Sequence, residues 1–460
     1  MGPGSYGPSG IATEECSAMP VDLSDESRYD RARLRQWARG RARSAGVDRR
    51  DLLRLFAAGA AAGALTAGAS GPAGAASAHG APDAAAPGPG SGPARAAAPV
   101  APPGIVKPLP PELFTVRGTN AETNFAALRG TGPLTPVDRF FVRNHTTTPR
   151  VEAAGWRLNV WGDGLAAGPV EFSYDRLRSL PAVERTLFIE CAGNGRSFYT
   201  TQQGQQVTGT AWTLGAIGSA RWRGARLSDV LRRAGVTRAA VDVLPRGLDD
   251  EVVANGVNLG RVRRPLPVSK ALDDVILAYE MNGGPLPPDH GGPVRVVVPD
   301  WIGISSIKWV GDIEVSAQPL YSPWNTDLYR LFGPDQPAEG SAPLTRQTLK
   351  SAFELELGAS VPVHRTRLLT GRSWSGAAPV HRVEVSTDGG ARWQRARLHD
   401  APRRGGWVRW SLPWTPRTTG AAALLARATD AGGRTQPATA AYNTQGYLFD
   451  AVVRHPVTVV

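Results

Sequence analysis

The stretch FIECAGNGRS (residues 188–197) carries an apolar strand straight into a cysteine and then into a glycine-rich loop. Cys191 therefore lies at the carboxyl end of a strand, a place from which side chains line sites. A thiolate is a soft ligand and suits molybdenum, copper or zinc. One cysteine alone cannot make a structural zinc site, which takes four ligands. By residue type, Cys191 is a buried bystander, a reactive thiol or a metal ligand.

Three further stretches bring anion donors. In FFVRNH (140–145) an apolar strand ends in Arg143, Asn144 and His145. The guanidinium offers a rigid fork to an oxyanion or phosphate; His145 either donates to a cofactor or caps the turn. In DHGGPVRVVVP (289–299) Arg295 sits inside an apolar alternation. A charge buried there must be paired, with a structural carboxylate or with a bound anion. In ISSIKW (304–309) two hydroxyls and the Lys308 ammonium come close together, a plausible phosphate nest. One soft metal ligand and several anion donors on separate loops suit a phosphate-bearing metal cofactor and an anionic substrate.

The elements that must position these residues read as α+β. Residues 105–335 mix short β runs (WRLNVWG, RTLFIECAG, PVRVVVP, IKWVGDIEV) with helix-like pieces (SYDRLRSLP, RLSDVLRRAG). No βαβ repeat and no G-x-G-x-x-G fingerprint emerges. Residues 336–460 read as a second domain. HRVEVSTDGGARWQRARL alternates around an Asp-Gly-Gly turn, a hairpin signal, and WVRWSLPW and AALLARATDAGG continue the strands. The pattern is an immunoglobulin-like β-sandwich without its disulfide.

The first 104 residues read differently. Arg49-Arg50 precede an apolar Ala/Gly/Leu run, and Ala76-Ser77-Ala78 fits an A-x-A cleavage site. Residues 1–78 are read as an extension and a twin-arginine (Tat-like) signal, with an uncleaved membrane anchor as the alternative. Residues 79–104 have the Ala/Pro/Gly composition of a linker. Export then implies a periplasmic, cell-wall-associated or secreted protein. The chain has two cysteines, Cys16 and Cys191; cleavage would leave Cys191 alone and exclude an internal disulfide. The net charge of +12 is Arg-driven, but many of these arginines precede the signal and the others form no basic-aromatic ribbon. Nucleic acid is not an expected partner. No C-x-x-C-H occurs, so haem carried covalently on this chain is not expected.

Five stretches resemble the sulfite oxidase family of molybdopterin enzymes: FFVRNH, ECAGNGRS, TAWTLGAIGSARWRGARLSDVL, ILAYEMNGGPLPPDHGGPVRVVVP and SIKWVGDIEV. They stand in the family's order and near its spacing, and the β-sandwich is similar to its molybdenum-cofactor dimerisation domain. The resemblance implies that Cys191 is the protein thiolate on molybdenum, the other sulfurs coming from the pterin. It implies that Arg143, Asn144, His145, Asp249, His290, Arg295, Ser306, Ile307 and Lys308 hold the cofactor. Arg143 and Arg196 would also face a substrate oxyanion, with Trp212 walling the pocket. The implied chemistry is two-electron oxygen-atom transfer at sulfur, most simply sulfite to sulfate. The implied partners are a second copy of the chain and an external acceptor such as cytochrome c, since no cytochrome b5-like, flavin or NAD domain is read.

The chain departs from the family at two places. Val262 falls where animal sulfite oxidases carry an active-site tyrosine, and Gln445 where the family places an arginine near the C-terminus. Arg261, Arg263 or Arg264 would be nearby compensating charges. Two other readings stand beside sulfite oxidation: a molybdenum-dependent S-oxide reductase, of the methionine sulfoxide type, and a secreted binding protein that kept the fold without the metal.

Overall fold

The computed structural model describes residues 104–460; the extension, the signal-like segment and the linker lie outside them. The apolar runs become strands where the alternation and the β-branched content place them. Arg157–Trp161 buries Leu158 and Val160 and exposes Arg157 and Asn159, the period of two expected of a half-buried strand. It lies in a five-stranded mixed sheet with Val170–Ser173, Val310–Ser316, Asp242–Gly247 and Leu266–Pro267. The SYDRLRSLP piece forms the helix Tyr174–Arg178, capped by the Ser173 side chain accepting from the Arg176 amide at 3.1 Å. RLSDVLRRAG forms Leu227–Arg233, whose Leu227, Val230 and Leu231 face the core.

A second five-stranded sheet carries the cysteine. Ala182–Glu190 pairs antiparallel with Ile217–Arg226, register Ala182↔Ala225 to Glu190↔Ile217. Ile217–Arg226 pairs in turn with Ile276–Met281, which also pairs with Arg295–Val297. The cysteine strand starts exposed and ends with Leu187 to Glu190 buried. Its buried end leads directly into the half-buried Cys191.

From Lys350 the chain forms the β-sandwich. One sheet holds Lys350–Phe353, Arg367–Trp374, Trp407–Trp414 and Arg397–Leu398. The other holds Ala359–Val361, His455–Val459, Gly420–Asp430, Val380–Ser386 and Gln394–Arg395. Val361, Val383, Val385, Trp410 and Leu424 fill the space between them. The Asp-Gly-Gly hairpin forms, with Gly389 and Gly390 at φ +73° and +106° and the Asp388 carboxylate accepting from the Arg392 amide. Its return strand is only two residues, Gln394–Arg395, paired to Glu384 and Val385. The two domains share a core: Phe188, Phe198, Tyr199 and Ile217 pack with Trp374, Trp407 and Phe449. Among the described residues no helix is long and apolar enough to cross a membrane.

Candidate active site

The loop after the cysteine strand is held by its own side chains. The Cys191 amide donates to Ala216 O at 2.9 Å, extending the ladder by one residue. The Asn194 amide then donates to Cys191 O at 2.9 Å and closes a turn. The Asn194 side chain reaches both ways, donating to Glu190 Oε1 at 2.9 Å and accepting from the Ala216 amide at 3.0 Å. This is why an asparagine stands between the two glycines. The second domain braces the same loop from behind. Lys350 Nζ pairs with Glu190 Oε1 at 2.7 Å and donates to Asn194 O at 3.0 Å. The Gln347 side chain donates to Glu190 O, and the Leu448 amide to Ala192 O at 2.8 Å.

Cys191 opens into a cavity that reaches across to Asp249, His290 and Lys308. At this end the wall is formed by Cys191, Arg143 and Tyr329. The Arg143 side chain lies beside Cys191 and makes no ion pair with a carboxylate among the described residues. Burial pulls its guanidinium down, but Tyr329, Cys191 and Tyr447 outweigh burial and leave it raised. Tyr329 stacks on Tyr447 with ring centroids 5.1 Å apart, and the Arg196 guanidinium lies 5.2 Å from the Tyr447 ring centre. Arg196 is buried. Its Nε donates to Gln445 O at 2.8 Å and its Nη1 to Thr210 O at 2.9 Å. It is packed against glycines: a Cβ at Gly193 would fall 2.5 Å from Nη2, and one at Gly446 2.7 Å from Cγ. The glycines of ECAGNG and of the C-terminal turn are thus partly requirements of this arginine.

The other end of the cavity gathers Asn144, His145, Asp249, His290, Arg295, Ser306, Ile307 and Lys308 from four separate segments. Lys308 Nζ donates to Asn144 Oδ1 and, at 2.9 Å, to Asp289 O. Burial, with Arg295 beside it, pushes its ammonium well below the usual lysine range. Arg295 gives its guanidinium to backbone carbonyls, those of His290 and Ser306 each at 2.9 Å and that of Val296 at 3.3 Å; burial pushes it down to about 9. Ser306 Oγ accepts from the Val298 amide at 3.0 Å, which leaves its proton to donate elsewhere. Trp324 Nε1 donates to His145 Nε2 at 3.1 Å, so the neutral ring carries its proton on Nδ1. Burial, then Arg143 and Lys308, hold His145 well below 6.5. Burial and the cations Lys107, Lys308 and Arg295 do the same to His290. His290 bonds the Val137 backbone, while its Nε2 is buried without a partner. Asp249 Oδ1 is likewise buried and unpartnered, and burial pushes that carboxyl up to about 6.

The structure brings ten of the expected residues onto one cavity: Arg143, Asn144, His145, Cys191, Asp249, His290, Arg295, Ser306, Ile307 and Lys308. Arg196 and Trp212 are not on its wall. Arg196 stands behind Tyr447. Trp212 is 1% exposed in the apolar cluster of Phe140, Phe141, Ile189 and Cys191. Val262 does line the cavity. Gln445 meets Arg196 through its carbonyl, while its side chain donates to Asp327 O at 3.1 Å. The expected compensation by Arg261, Arg263 or Arg264 is not what the structure shows: none is on the wall. Arg264 is buried and donates to Trp324 O and Leu344 O, and Arg263 donates to Leu259 O and Arg261 O. Sequence reasoning missed Tyr329 and Tyr447. Nothing in DLYRLF or TQGYLF marks them, and they meet only after the fold has brought residues 329 and 447 together.

A phosphate-bearing pterin fits this donor set. Lys308 and Arg295 are buried cations with no carboxylate at ion-pair distance among the described residues, a condition that a bound dianion relieves. Asp249 Oδ1 and His290 Nε2 are acceptors with nothing to accept from, and the ring N–H groups of a pterin are donors. Among the described residues no three His, Cys, Asp or Glu side chains group to hold a metal. A metal beside Cys191 must therefore bring its remaining ligands with it, as a dithiolene cofactor does.

The fold and this site together define a molybdopterin oxidoreductase. Residues 145–324 match the model of the oxidoreductase molybdopterin binding domain, and residues 354–459 that of the Mo-co oxidoreductase dimerisation domain. The chain is 37% identical over 338 residues to sulfite oxidase of Gallus gallus, covering 69% of this chain and 72% of that one. It is 37% identical over 337 residues to mitochondrial sulfite oxidase of Homo sapiens, covering 69% of this chain and 60% of that one. It thus spans about 60% of the length of the mitochondrial relative. Nitrate reductases are also among the relatives. The crystal structure of the sulfane dehydrogenase SoxCD from Paracoccus pantotrophus superposes with a TM-score of 0.63 at 27% identity, covering 75% of this chain and 85% of that one. The chain belongs to the sulfite oxidase family, whose cofactor is molybdenum-molybdopterin.

Proposed function

We propose that the protein oxidises sulfite, or a related sulfur oxyanion, and passes the electrons to an external acceptor such as a cytochrome c. The observation that carries the reading is Arg143. It is a cation on the cavity wall beside Cys191, with no carboxylate at ion-pair distance among the described residues. A planar guanidinium fork matches a tetrahedral oxyanion. The sulfur chemistry named for the sulfite oxidases and the sulfane dehydrogenase supports the same substrate class.

Bound molybdenum-molybdopterin supplies two-electron oxygen-atom transfer. In this reading Cys191 is its protein ligand, and the Lys308 end holds the phosphate and the pterin ring. The chain's own work is orientation and charge. Arg143 attracts and orients the anion, Arg196 adds positive charge behind Tyr447, and the Asn194 and Lys350 contacts hold the Cys191 loop still. The overall conversion of sulfite to sulfate takes one oxygen from water and releases two protons and two electrons. We further propose that the protein is exported on its Arg49-Arg50 signal and pairs with a second copy through the β-sandwich.

The test is sulfite-dependent reduction of an artificial one-electron acceptor by protein shown to contain molybdenum, run beside Cys191→Ser. Turnover in the wild type that falls at least about 100-fold in the variant is the expected result, since even residues that only support metal ligands cost 10–100-fold. Molybdenum-loaded wild type that leaves sulfite untouched would overturn the substrate, and nitrate and S-oxides are the arms to run next.

A further inference from the structure

The cofactor end of the cavity is walled in. Asn144, Asp249, His290, Arg295, Ser306 and Ile307 line it, and each is 5% exposed or less. A pterin reaches them only where part of the wall yields. Most of the wall belongs to the body of the molecule. Val142 exchanges amide and carbonyl with Ala121, each at 2.9 Å, and the Asn144 amide donates to Asn120 Oδ1 at 2.9 Å. The Val296 amide donates to Ile307 O at 2.8 Å, and the Val310 amide to Val294 O at 3.0 Å. The cysteine loop is braced by Lys350 and Gln347.

One wall segment is built differently. Asp249 and Val262 both line the cavity, and the chain between them is a hairpin, Val252–Ala254 paired antiparallel with Val257–Gly260. It forms a two-stranded sheet of its own. Asn255 and Gly256 make the turn at φ +51° and +78°, the two positive values of a tight hairpin. Every residue from 253 to 258 is exposed, Val253 by 66% and Val257 by 59%. Val252 alone of its strand is buried, in the core of the domain. Among the described residues a single hydrogen bond ties residues 250–258 to the rest of the molecule: Thr147 Oγ1 donates to Asp250 Oδ2 at 3.3 Å. Asn258 Nδ2 donates to Glu251 Oε2 at 2.6 Å and the Gly260 amide to Asn258 Oδ1 at 2.8 Å. These bonds stay inside the hairpin, so it can move as a unit. A segment with exposed bonds and little buried apolar area opens at low cost. Gly260, at φ +73°, gives its base a pivot. At that same base Asp249 Oδ1 is buried without a partner.

We propose that this hairpin is the gate of the cofactor cavity. It swings out at the Asp249–Val262 edge to admit the cofactor, and a ring N–H of the bound pterin donating to Asp249 Oδ1 holds it shut. This rests on the family's cofactor and is independent of the sulfite reading.

Two measurements test the gate, neither of them activity. Amide hydrogen exchange of wild type is compared with and without molybdenum-molybdopterin. In cofactor-free protein the amides of residues 252–260 should exchange by local opening, at a rate insensitive to low denaturant, and loading should slow them about tenfold or more. Equal exchange in the two states would overturn the proposal. Thr147→Val then removes the one tether and keeps the side-chain shape, at a residue that is not on the cavity wall. Cofactor uptake by cofactor-free protein is followed through tryptophan fluorescence, since Trp309 lines the cavity, and release through molybdenum per chain after dilution. A tether that acts equally in the empty and the loaded protein sets both rates, so uptake and release should each quicken about 2–10-fold with affinity unchanged. A residue that only supported a cofactor contact would quicken release alone. Release that quickens alone, or two unchanged rates, would overturn the gate, as would a lowered denaturation midpoint of the cofactor-free variant, which would mean general loosening.

Discussion

At the Cys191 end of the cavity the loop is fixed by contacts within the protein, whereas at the Lys308 end buried polar groups are left without partners. Lys350 meets Glu190 at 2.7 Å, Arg143 lies beside Cys191, and Arg196 donates to Gln445 O and Thr210 O. Lys308 and Arg295 meet only neutral oxygens, and Asp249 Oδ1 and His290 Nε2 meet nothing. The first end is assembled in advance from both domains, with the loop fixed by Asn194 and the sandwich. The second is assembled from one domain and is complete only with a ligand in it. Fixed geometry belongs where a reacting atom must be held, and missing partners belong where a large polar cofactor supplies them.

The largest expected effect breaks the fixed end. Lys350→Met removes the partner of a carboxylate whose side chain is 0% exposed. An uncompensated buried charge of this kind costs about 3–5 kcal/mol. Chemical denaturation of cofactor-free protein should show that loss, and the Cys191 thiol should become more reactive as its loop loosens. A loss under about 1 kcal/mol would mean that the loop does not depend on the second domain.

The next tests the incomplete end through Asp249, whose carboxyl is raised from 3.8 to about 6. A raised folded-state value means that the folded protein binds the proton more tightly than the unfolded chain. The stability it contributes is full below about pH 4 and is lost as pH rises through about 6. At 1.36 kcal/mol per pH unit the swing is about 3 kcal/mol. Cofactor-free Asp249→Asn should lack that part of the stability-versus-pH curve. Loading with cofactor should flatten the wild-type curve as well, because a donor placed on Oδ1 lowers the carboxyl again. A variant curve parallel to wild type would show that Asp249 does not carry the proton.

The fixed end was the harder one to read in the sequence. Cys191, Arg143 and Lys308 stand in motifs whose residue types declare their chemistry, and the strands around them follow the alternation of RTLFIECAG and IKWVGDIEV. Tyr329, Tyr447 and Lys350 carry no local signal. Their partners are more than a hundred residues away in sequence, and only the packing of the sandwich against the cysteine strand brings them in. Trp212 shows a related limit: sequence gives a large apolar side chain but not which cluster it packs in. Gln445 shows the reverse case, since its effect on Arg196 runs through a carbonyl that any residue would have.

The smallest effect separates binding from folding at the incomplete end. Lys308→Met removes a buried cation that has no carboxylate partner, which relieves a desolvation penalty, and it strands Asn144 Oδ1 and Asp289 O, which adds one. These oppose each other, so the stability of the cofactor-free protein should change by about 1 kcal/mol or less. The loaded protein loses a charge-assisted hydrogen bond to the ligand, about 1.5–3 kcal/mol, or roughly 10–100-fold in affinity. Molybdenum per chain after dilution and gel filtration should fall accordingly while the cofactor-free denaturation midpoint holds. If stability and retention fell together, Lys308 would be a structural residue like Lys350, and the two ends of the cavity would be built alike.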